Sequence, residues 1–448
     1  MRIRLDSIGC RLNIGEIEAM ARSFASTGHS IVSQGERAEL CILNTCTVTA
    51  IASKKSRAFI RQLRRRNPGA RLVATGCLAE LEPDSLEGLG VDLVVGNDAK
   101  DNLPDLLTGR GWLTDPENTP DENPPISGSR TRAFLKVQDG CDNKCTFCVV
   151  TIARGSGKSR PQREIVAEVR NLMTLGYHEV VLSGVHLGSY GHDLDRARGL
   201  EELVRKILAE TDLQRLRLSS LEPWDLDPAF FEVFSDRRVL PHLHLPLQSG
   251  CDATLRRMAR KTTAAGFAAL VDTARETIDD VAITTDVMVG FPGETDEEFE
   301  QSIATVERLA FSKLHIFRYS RRAGTRAAKM PDQVAGPVST ERSARLHDLG
   351  DRLMNEFHQL FVGRRADILW EDAEEIGDHR RWSGLTGNYI RVLTEAPARV
   401  ELANTITPVD LEACMPGAML GAVPGVTTSG IAETSRRESD SLPVVSGS

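Results

Sequence analysis

Between residues 134 and 320, apolar strand-like runs alternate with amphipathic helical ones, and this alternation restricts the fold more than any other feature. The strand-like runs are FLKV (134–137), EVVLSGV (179–185), RLRLSSL (215–221), HLHLPL (242–247), AITTDVMVGF (282–291) and KLHIFRYS (313–320). Helical patterns separate them at 163–176, 200–210, 253–260, 267–278 and 297–310. Parallel strands need crossover connections of about helix length, so this repetition predicts an α/β fold with parallel strands. Six strands suit an open, partial (β/α)6 barrel, whose working residues lie at the carboxyl ends of its strands. Those ends carry Ser183 and Gly184, then Glu222, then Gln248 and Ser249, then Gly290 to Glu294. Gly184 and Gly188 permit close backbone approach. Glu222 can accept from an amine or ribose hydroxyl, and Gln248 can donate and accept. Capping or packing explains any one of them equally well; their shared location favours a ligand site.

The first 110 residues repeat the pattern on a smaller scale. Cys10 closes RIRLDSIG (2–9), Cys46 closes ELCILNT (39–45) and Cys77 closes RLVATG (71–76). Carboxyl ends of parallel strands face one crevice, so three cysteines distant in sequence are expected to converge there, as ligands of a metal cluster. The alternative is three small buried residues, which leaves their common place at strand ends unexplained. Cys41 lies inside its strand and reads as buried and apolar. Cys251 and Cys414 are isolated and read as structural.

A second trio, Cys141, Cys145 and Cys148, occupies GCDNKCTFC (140–148), directly after the first strand of the central region. A 4Fe-4S cluster takes four ligands, so three thiolates leave one iron open to a small molecule. Zinc is the competing reading, but it usually takes four protein ligands in structural sites, and no fourth Cys or His is near in sequence. The CxxxCxxC spacing is that of radical S-adenosylmethionine (SAM) enzymes. Nine cysteines, an odd number, with no signal-peptide pattern and no apolar run long enough to span a membrane, predict a soluble, cytoplasmic protein with reduced thiols.

Composition marks the boundaries. Residues 111–129 are rich in proline and acid, which predicts a linker over 111–126 between a domain at 1–110 and a central one at 127–360. A small unit is expected at 361–427. The Ser-rich stretch 428–448 predicts a disordered tail.

The motifs SIGCRLN (7–13), NTCTVT (44–49), TGC (75–77), GCDNKCTFC, SRP (159–161), LSGVHLGSYG (182–191), LQSGCDATLRRM (247–258), TTDVMVGFPGETDEEF (284–299) and GTRAAKM (324–330) together resemble the methylthiotransferase family. GCRLN and NTCTVT resemble its branch acting on N6-threonylcarbamoyladenosine beside the tRNA anticodon. The resemblance implies an auxiliary 4Fe-4S cluster on Cys10, Cys46 and Cys77. It implies a radical SAM cluster on Cys141, Cys145 and Cys148, with SAM among Ser183, Gly184, Glu222, Gln248 and Gly290. It also implies a C-terminal TRAM-like β-barrel, a tRNA substrate and an electron donor such as a flavodoxin or ferredoxin. One SAM would methylate sulfur at the auxiliary cluster. A second, reductively cleaved, would activate C2 of adenine for methylthio transfer, so the six cysteines are ligands rather than acid–base groups. The chain departs from the family at Thr151 and Ile152, where a Pro–Tyr pair is frequent, at Lys158, where Arg is common, and at Arg318 and Arg321, which replace prolines.

With a net charge of −8, RNA must be held by local patches. Residues 51–66 carry seven basic residues and no acid, and 318–329 carry five and no acid, among them Arg321, Arg322 and Arg326. The competing reading is a solvated helix face. Residues 363–427 hold six Arg against ten Asp plus Glu, so RNA contact there would need a local surface or stacking on Trp382 and Tyr389, aromatics that a core position explains equally well. Sibling activities on isopentenyl-adenosine in tRNA or on a ribosomal-protein aspartate are the rival functions. A non-catalytic iron–sulfur RNA-binding module is the rival class.

Overall fold

The structure, a computed structural model, describes residues 1–113 and 131–426. Most of the expected linker and the whole 428–448 tail lie outside the described residues.

The N-terminal unit is a parallel sheet of five strands: β1 (Arg2–Ser7), β2 (Ser30–Ile31), β3 (Leu40–Thr45), β4 (Arg71–Gly76) and β5 (Leu93–Val94), in the order β2-β1-β3-β4-β5. Every residue of β3 is buried, as expected of a parallel strand covered on both faces. Helix α1 (Arg11–Ser26) follows β1, α2 (Ala50–Arg66) follows β3 and α3 (Cys77–Leu81) follows β4. Thr49 caps α2 by accepting from the Ala52 N–H at 3.1 Å. Chain order reverses between β1 and β3, and ligands of open α/β sheets bind outside the carboxyl ends at such a point.

The six expected central strands are all present: β6 (Arg132–Lys136), then, after the short antiparallel pair β7 (Gln138–Asp139) and β8 (Lys158–Ser159), β9 (Glu179–Ser183), β10 (Arg215–Leu218), β11 (His242–His244), β12 (Ala282–Val289) and β13 (Lys313–Arg318). Parallel pairing gives β6-β9-β10 and β11-β12-β13. A Ser220–His244 bridge joins the halves, with Leu221 N–H donating to His244 O at 2.9 Å. Alternate residues such as Leu135, Val180, Leu182, Leu216, Leu218, Leu243 and Ile283 enter the apolar core beneath the crossover helices. Their neighbours, among them Glu179, Arg217, His242, His244 and Asp286, form a polar interior. The barrel is partial: β6 and β13 are its edges. Helix α1 covers the β6 edge so closely that a Cβ on Gly15 would stand 2.4 Å from Phe134 O.

The C-terminal unit is a closed barrel of β14 (Arg365–Ile376), β15 (His379–Leu385), β16 (Arg391–Pro397), β17 (Ile406–Met415) and β18 (Ala418–Ala422). Pairing of β14 with β17 closes it around Trp370, Trp382, Val392, Val409 and Met419. Its β15–β16 loop reaches the amino ends of the central strands. Arg215 and Arg217 donate to carbonyls of Leu385, Thr386 and Gly387. Tyr389 stacks on His242 at 4.6 Å, and its hydroxyl receives Arg11 at 2.6 Å and Arg132 at 3.2 Å. Arg11 comes from the N-terminal unit, so one side chain ties all three units together. Of the two readings of these aromatics, the core one holds: Trp382 is 2% exposed in the barrel core, and Tyr389 is committed to protein contacts.

Glu179 lies fully buried between Arg215 (2.8 Å) and Arg217 (2.7 Å). Burial opposes its charge, but the two guanidiniums outweigh it and lower its pKa to about 2. The stability it contributes is present above the ordinary glutamate range and is lost as pH falls from there toward about 2. Breaking a buried pair costs about 3–5 kcal/mol, so Glu179→Gln should lower the denaturant midpoint by a corresponding amount near neutral pH. Tyr389 is a second case. Burial works against its phenolate, yet Arg11, Arg132 and Arg217 lower its pKa to about 8. Ionisation then favours the folded state, adding stability as pH rises from about 8 to about 10. Equilibrium unfolding should show Tyr389→Phe costing more at pH 9 than at pH 7.

Candidate functional site

The crevice at the ends of β1, β3 and β4 receives Cys10, Cys46 and Cys77. Cys10 precedes α1, Cys46 follows β3 and Cys77 opens α3. Two glycines make the approach possible. Gly9 has φ +111°, and a Cβ there would lie 2.7 Å from Cys46 Sγ. Gly76 has φ +90°, and its Cβ would meet Asn44 Oδ1 at 2.2 Å. Asn13 ties the crevice together by donating to Ile8 O at 2.8 Å and Thr45 O at 3.1 Å. Cys46 and Cys77 are buried, whereas Cys10 is exposed. Burial pushes the Cys46 thiol up to about 12. Such a thiol would have to release its proton to serve as a metal ligand.

The second trio lies on the loop that leaves β7. Gly140 has φ +69°, and a Cβ there would overlap Ser156 O. The loop is held by Cys141 N–H donating to Gly155 O at 3.0 Å. Each sulfur receives a donor: Asn143 N–H on Cys141 (3.4 Å), Arg260 on Cys145 (3.8 Å) and Val150 N–H on Cys148 (3.4 Å). Donors of this kind stabilise thiolate and tune a cluster's potential. Burial nonetheless raises Cys145 and pushes Cys148 up to about 11. Among the described residues no three His, Cys, Asp or Glu side chains converge as ligands of a single ion. A cubane asks less convergence, because each sulfur binds a different iron.

Strand-end residues surround this loop. Glu222 pairs with Arg260 at 2.6 Å, beside Cys145, and Arg260 also lies 4.5 Å from the Trp224 ring centre. Gln248 is 8% exposed at φ +70° and its backbone bonds to Asp286 and Met288. Ser183 is buried and donates to Val181 O at 3.4 Å. The space beside Gly184 is filled by Gln138, that beside Gly188 by Asp225, and that beside Gly290 by Ser339. These three glycines therefore make room for protein. Arg321 and Arg326 are exposed, while Arg322 is half-buried, donating to Thr47 and, at 3.2 Å, to Ser53.

Sequence reasoning missed the residue that joins the trios. Arg154 closes the short helix Val150–Arg154, just beyond Cys148, and donates to Cys77 Sγ at 3.4 Å. It also binds Asn13 at 2.7 Å, Glu16 at 2.9 Å and Asp139 at 2.9 Å. Glu16 in turn holds Lys100 at 2.6 Å, both fully buried. Burial opposes the Glu16 charge, but Arg154, Lys100 and Lys136 lower its pKa far below the usual range. The signal available in sequence was only polarity within apolar helices. His186 was also missed. Burial disfavours its cation, yet bonds to Asp225 and Cys141 outweigh this and raise its pKa to about 9.

Known proteins agree with this architecture. Residues 135–306 match the family model described as Radical SAM superfamily, and residues 2–96 match Uncharacterized protein family UPF0004. The radical S-adenosylmethionine methyltransferase TsrM from Kitasatospora setae is similar in fold, with TM-score 0.53 at 17% identity over 73% of this chain and 76% of that one. The molecule is a radical SAM enzyme, which implies a 4Fe-4S cluster and SAM, and the triplet and its donors fit that cluster. Similarity over most of the chain extends to two proteins named threonylcarbamoyladenosine tRNA methylthiotransferase MtaB. The one from Bacillus subtilis is 35% identical over 87% of this chain and 90% of its own, and that from Thermotoga maritima 36% over 82% and 86%. A tRNA-2-methylthio-N(6)-dimethylallyladenosine synthase from Novosphingobium aromaticivorans is 35% identical over 85% and 88%. The chain belongs to the methylthiotransferase family of radical SAM enzymes. Among the described residues no helix is long and apolar enough to cross a membrane.

Proposed function

We propose that this enzyme transfers a methylthio group to C2 of N6-threonylcarbamoyladenosine in tRNA, using two 4Fe-4S clusters, SAM and an external electron donor such as a flavodoxin or ferredoxin. The observation that carries the reading is the pair of cysteine trios bridged by Arg154. Cys10, Cys46 and Cys77 would hold the auxiliary cluster, and Cys141, Cys145 and Cys148 the one that binds SAM. When bound, the clusters and SAM supply the reducing electron, the hydrogen-abstracting radical and the sulfur, chemistry no side chain provides.

The protein's own part is placement. Glu222 and Arg260 form a charged pair beside Cys145 that suits the polar groups of SAM. Gln248 adds a buried amide at the neighbouring strand end. Helix α1, lying on the open edge of the barrel, sets the crevice of the first trio against the mouth that holds the second. The threonylcarbamoyl substrate is supported by the GCRLN and NTCTVT segments and by the names of the relatives from B. subtilis and T. maritima. The dimethylallyladenosine synthases, similar to nearly the same degree, mark the second reading. Arg321, Arg322 and Arg326, with the basic face of α2, supply cations for RNA phosphates.

Three outcomes are expected. Protein reconstituted without oxygen should hold two 4Fe-4S clusters, and replacing Cys141, Cys145 and Cys148 by Ala should remove about half the iron. Zinc, or a single cluster in the wild type, contradicts this. Cys46→Ala should still release 5′-deoxyadenosine on reduction with SAM while making no methylthiolated product. Nucleoside mass spectrometry of tRNA from cells lacking the gene should show loss of the 2-methylthio form and accumulation of N6-threonylcarbamoyladenosine. Loss of methylthiolated isopentenyl-adenosine instead would move the assignment to the second reading.

A further inference from the structure

Seven large hydrophobic side chains are exposed among the described residues, and three of them lie in segments that border one loop, residues 318–329: Val48 (42%), Ile51 (60%) and Ile152 (49%). Val48 stands two residues beyond Cys46, Ile51 lies in the first turn of α2, and Ile152 sits on the helix that follows Cys148. The loop 318–329 draws them together. Its Ser320 hydroxyl accepts from Ala50 N–H at 3.1 Å, and Arg322 donates to Thr47 and Ser53. On the other side, Ile152 Cδ1 lies 3.1 Å from where a Cβ on Gly324 would be. An apolar surface therefore runs along the lip between the two cysteine trios, built from the N-terminal unit and from both ends of the central barrel.

Its surroundings are cationic. Lys54 and Lys55 lie three and four residues beyond Ile51, on the same face of α2. They are exposed, as are Arg321, Arg326 and Lys329. The α2 arginines that form ion pairs, Arg57 with Glu82 and Arg64 with Asp92, lie further along the helix. No acidic residue occurs in 46–66 or 318–329. Arg322 has a buried Nε–H with no hydrogen-bond partner among the described residues.

We propose that this lip is the docking surface for unstacked bases of a single-stranded RNA loop. The bases next to the reacting adenosine would pack on Val48, Ile51 and Ile152, with their phosphates held by Lys54, Lys55, Arg321 and Arg326. The inference rests on the reading that RNA is the substrate and adds where its loop lies. Charge complementarity selects the occupant: apolar contact flanked by unneutralised cations fits bases and phosphates together. The position selects the loop, because the lip adjoins both trios, whereas paired stem lies farther from the reacting base.

The test measures the affinity of iron–sulfur-loaded protein for a fluorescent anticodon stem-loop RNA by anisotropy. Ile51→Glu with Ile152→Glu should weaken binding about tenfold or more, as for loss of one base contact. SAM cleavage without RNA should stay at the wild-type level, which reports an intact fold and cluster. Leu360→Glu, at an exposed apolar site away from the lip, should bind RNA like wild type. The proposal is overturned if the double variant binds RNA normally, or if Leu360→Glu is the one that loses binding. Normal RNA binding with slowed reduction by flavodoxin would assign the lip to the electron donor and also overturn it. If wild-type protein binds no stem-loop RNA, the RNA reading fails and the lip proposal with it; wild-type binding without loss in the double variant sinks only the lip.

Discussion

Arg154 occupies a position from which both halves of the site are held. Its guanidinium reaches Cys77, Asn13 and Glu16 in the N-terminal unit and Asp139 in the central barrel. Glu16 has Lys100 inside its own unit, and Arg154 and Lys136 of the barrel add the partners that cross the junction; removing one partner of such a buried ionic cluster costs several kcal/mol. The N-terminal unit therefore has a strong reason to sit on the barrel in one register. That register carries the crevice of Cys10, Cys46 and Cys77 to the mouth where Cys141, Cys145 and Cys148 lie. A junction of apolar side chains would tolerate sliding; one built of short charged hydrogen bonds does not.

Much of this was legible in the sequence for a physical reason. A parallel strand buried on both faces is a continuous apolar run, so β3 stands out by composition alone, while the central strands stand out by their spacing between amphipathic helical runs. Cysteines at strand ends stand out too, because βα topology fixes where strand ends point. The two trios could thus be grouped before any contact was known. Partners across domains leave no such trace. Arg154 and Arg260 look like ordinary surface arginines, since nothing local reveals the Glu16 or Glu222 that meets them. The glycines show a related limit: Gln138 and Asp225 occupy the space a Cβ on Gly184 or Gly188 would need, and both neighbours are far along the chain.

The C-terminal barrel shows the same limit. Its acidic composition discouraged an RNA role, and its aromatics remained open between surface and core. Trp382 fills the barrel interior and Tyr389 closes the floor of the neighbouring unit. A tyrosine in a turn at positive φ is uncommon. Here the stacking on His242 and the three arginines around the ring hold that conformation.

The Arg11–Tyr389 bond spans 378 positions of sequence. During synthesis the chain emerges from its amino end, so this latch cannot close until nearly the whole polypeptide has been made. The sheet bearing Cys10, Cys46 and Cys77 has no need of residues beyond the first 113 for its own pairing and is complete long before. The order of emergence leaves an interval in which that crevice is assembled but still unlatched from the barrel floor. For part of that interval Cys77 has not yet met Arg154, so its sulfur is more open to solution than in the finished molecule.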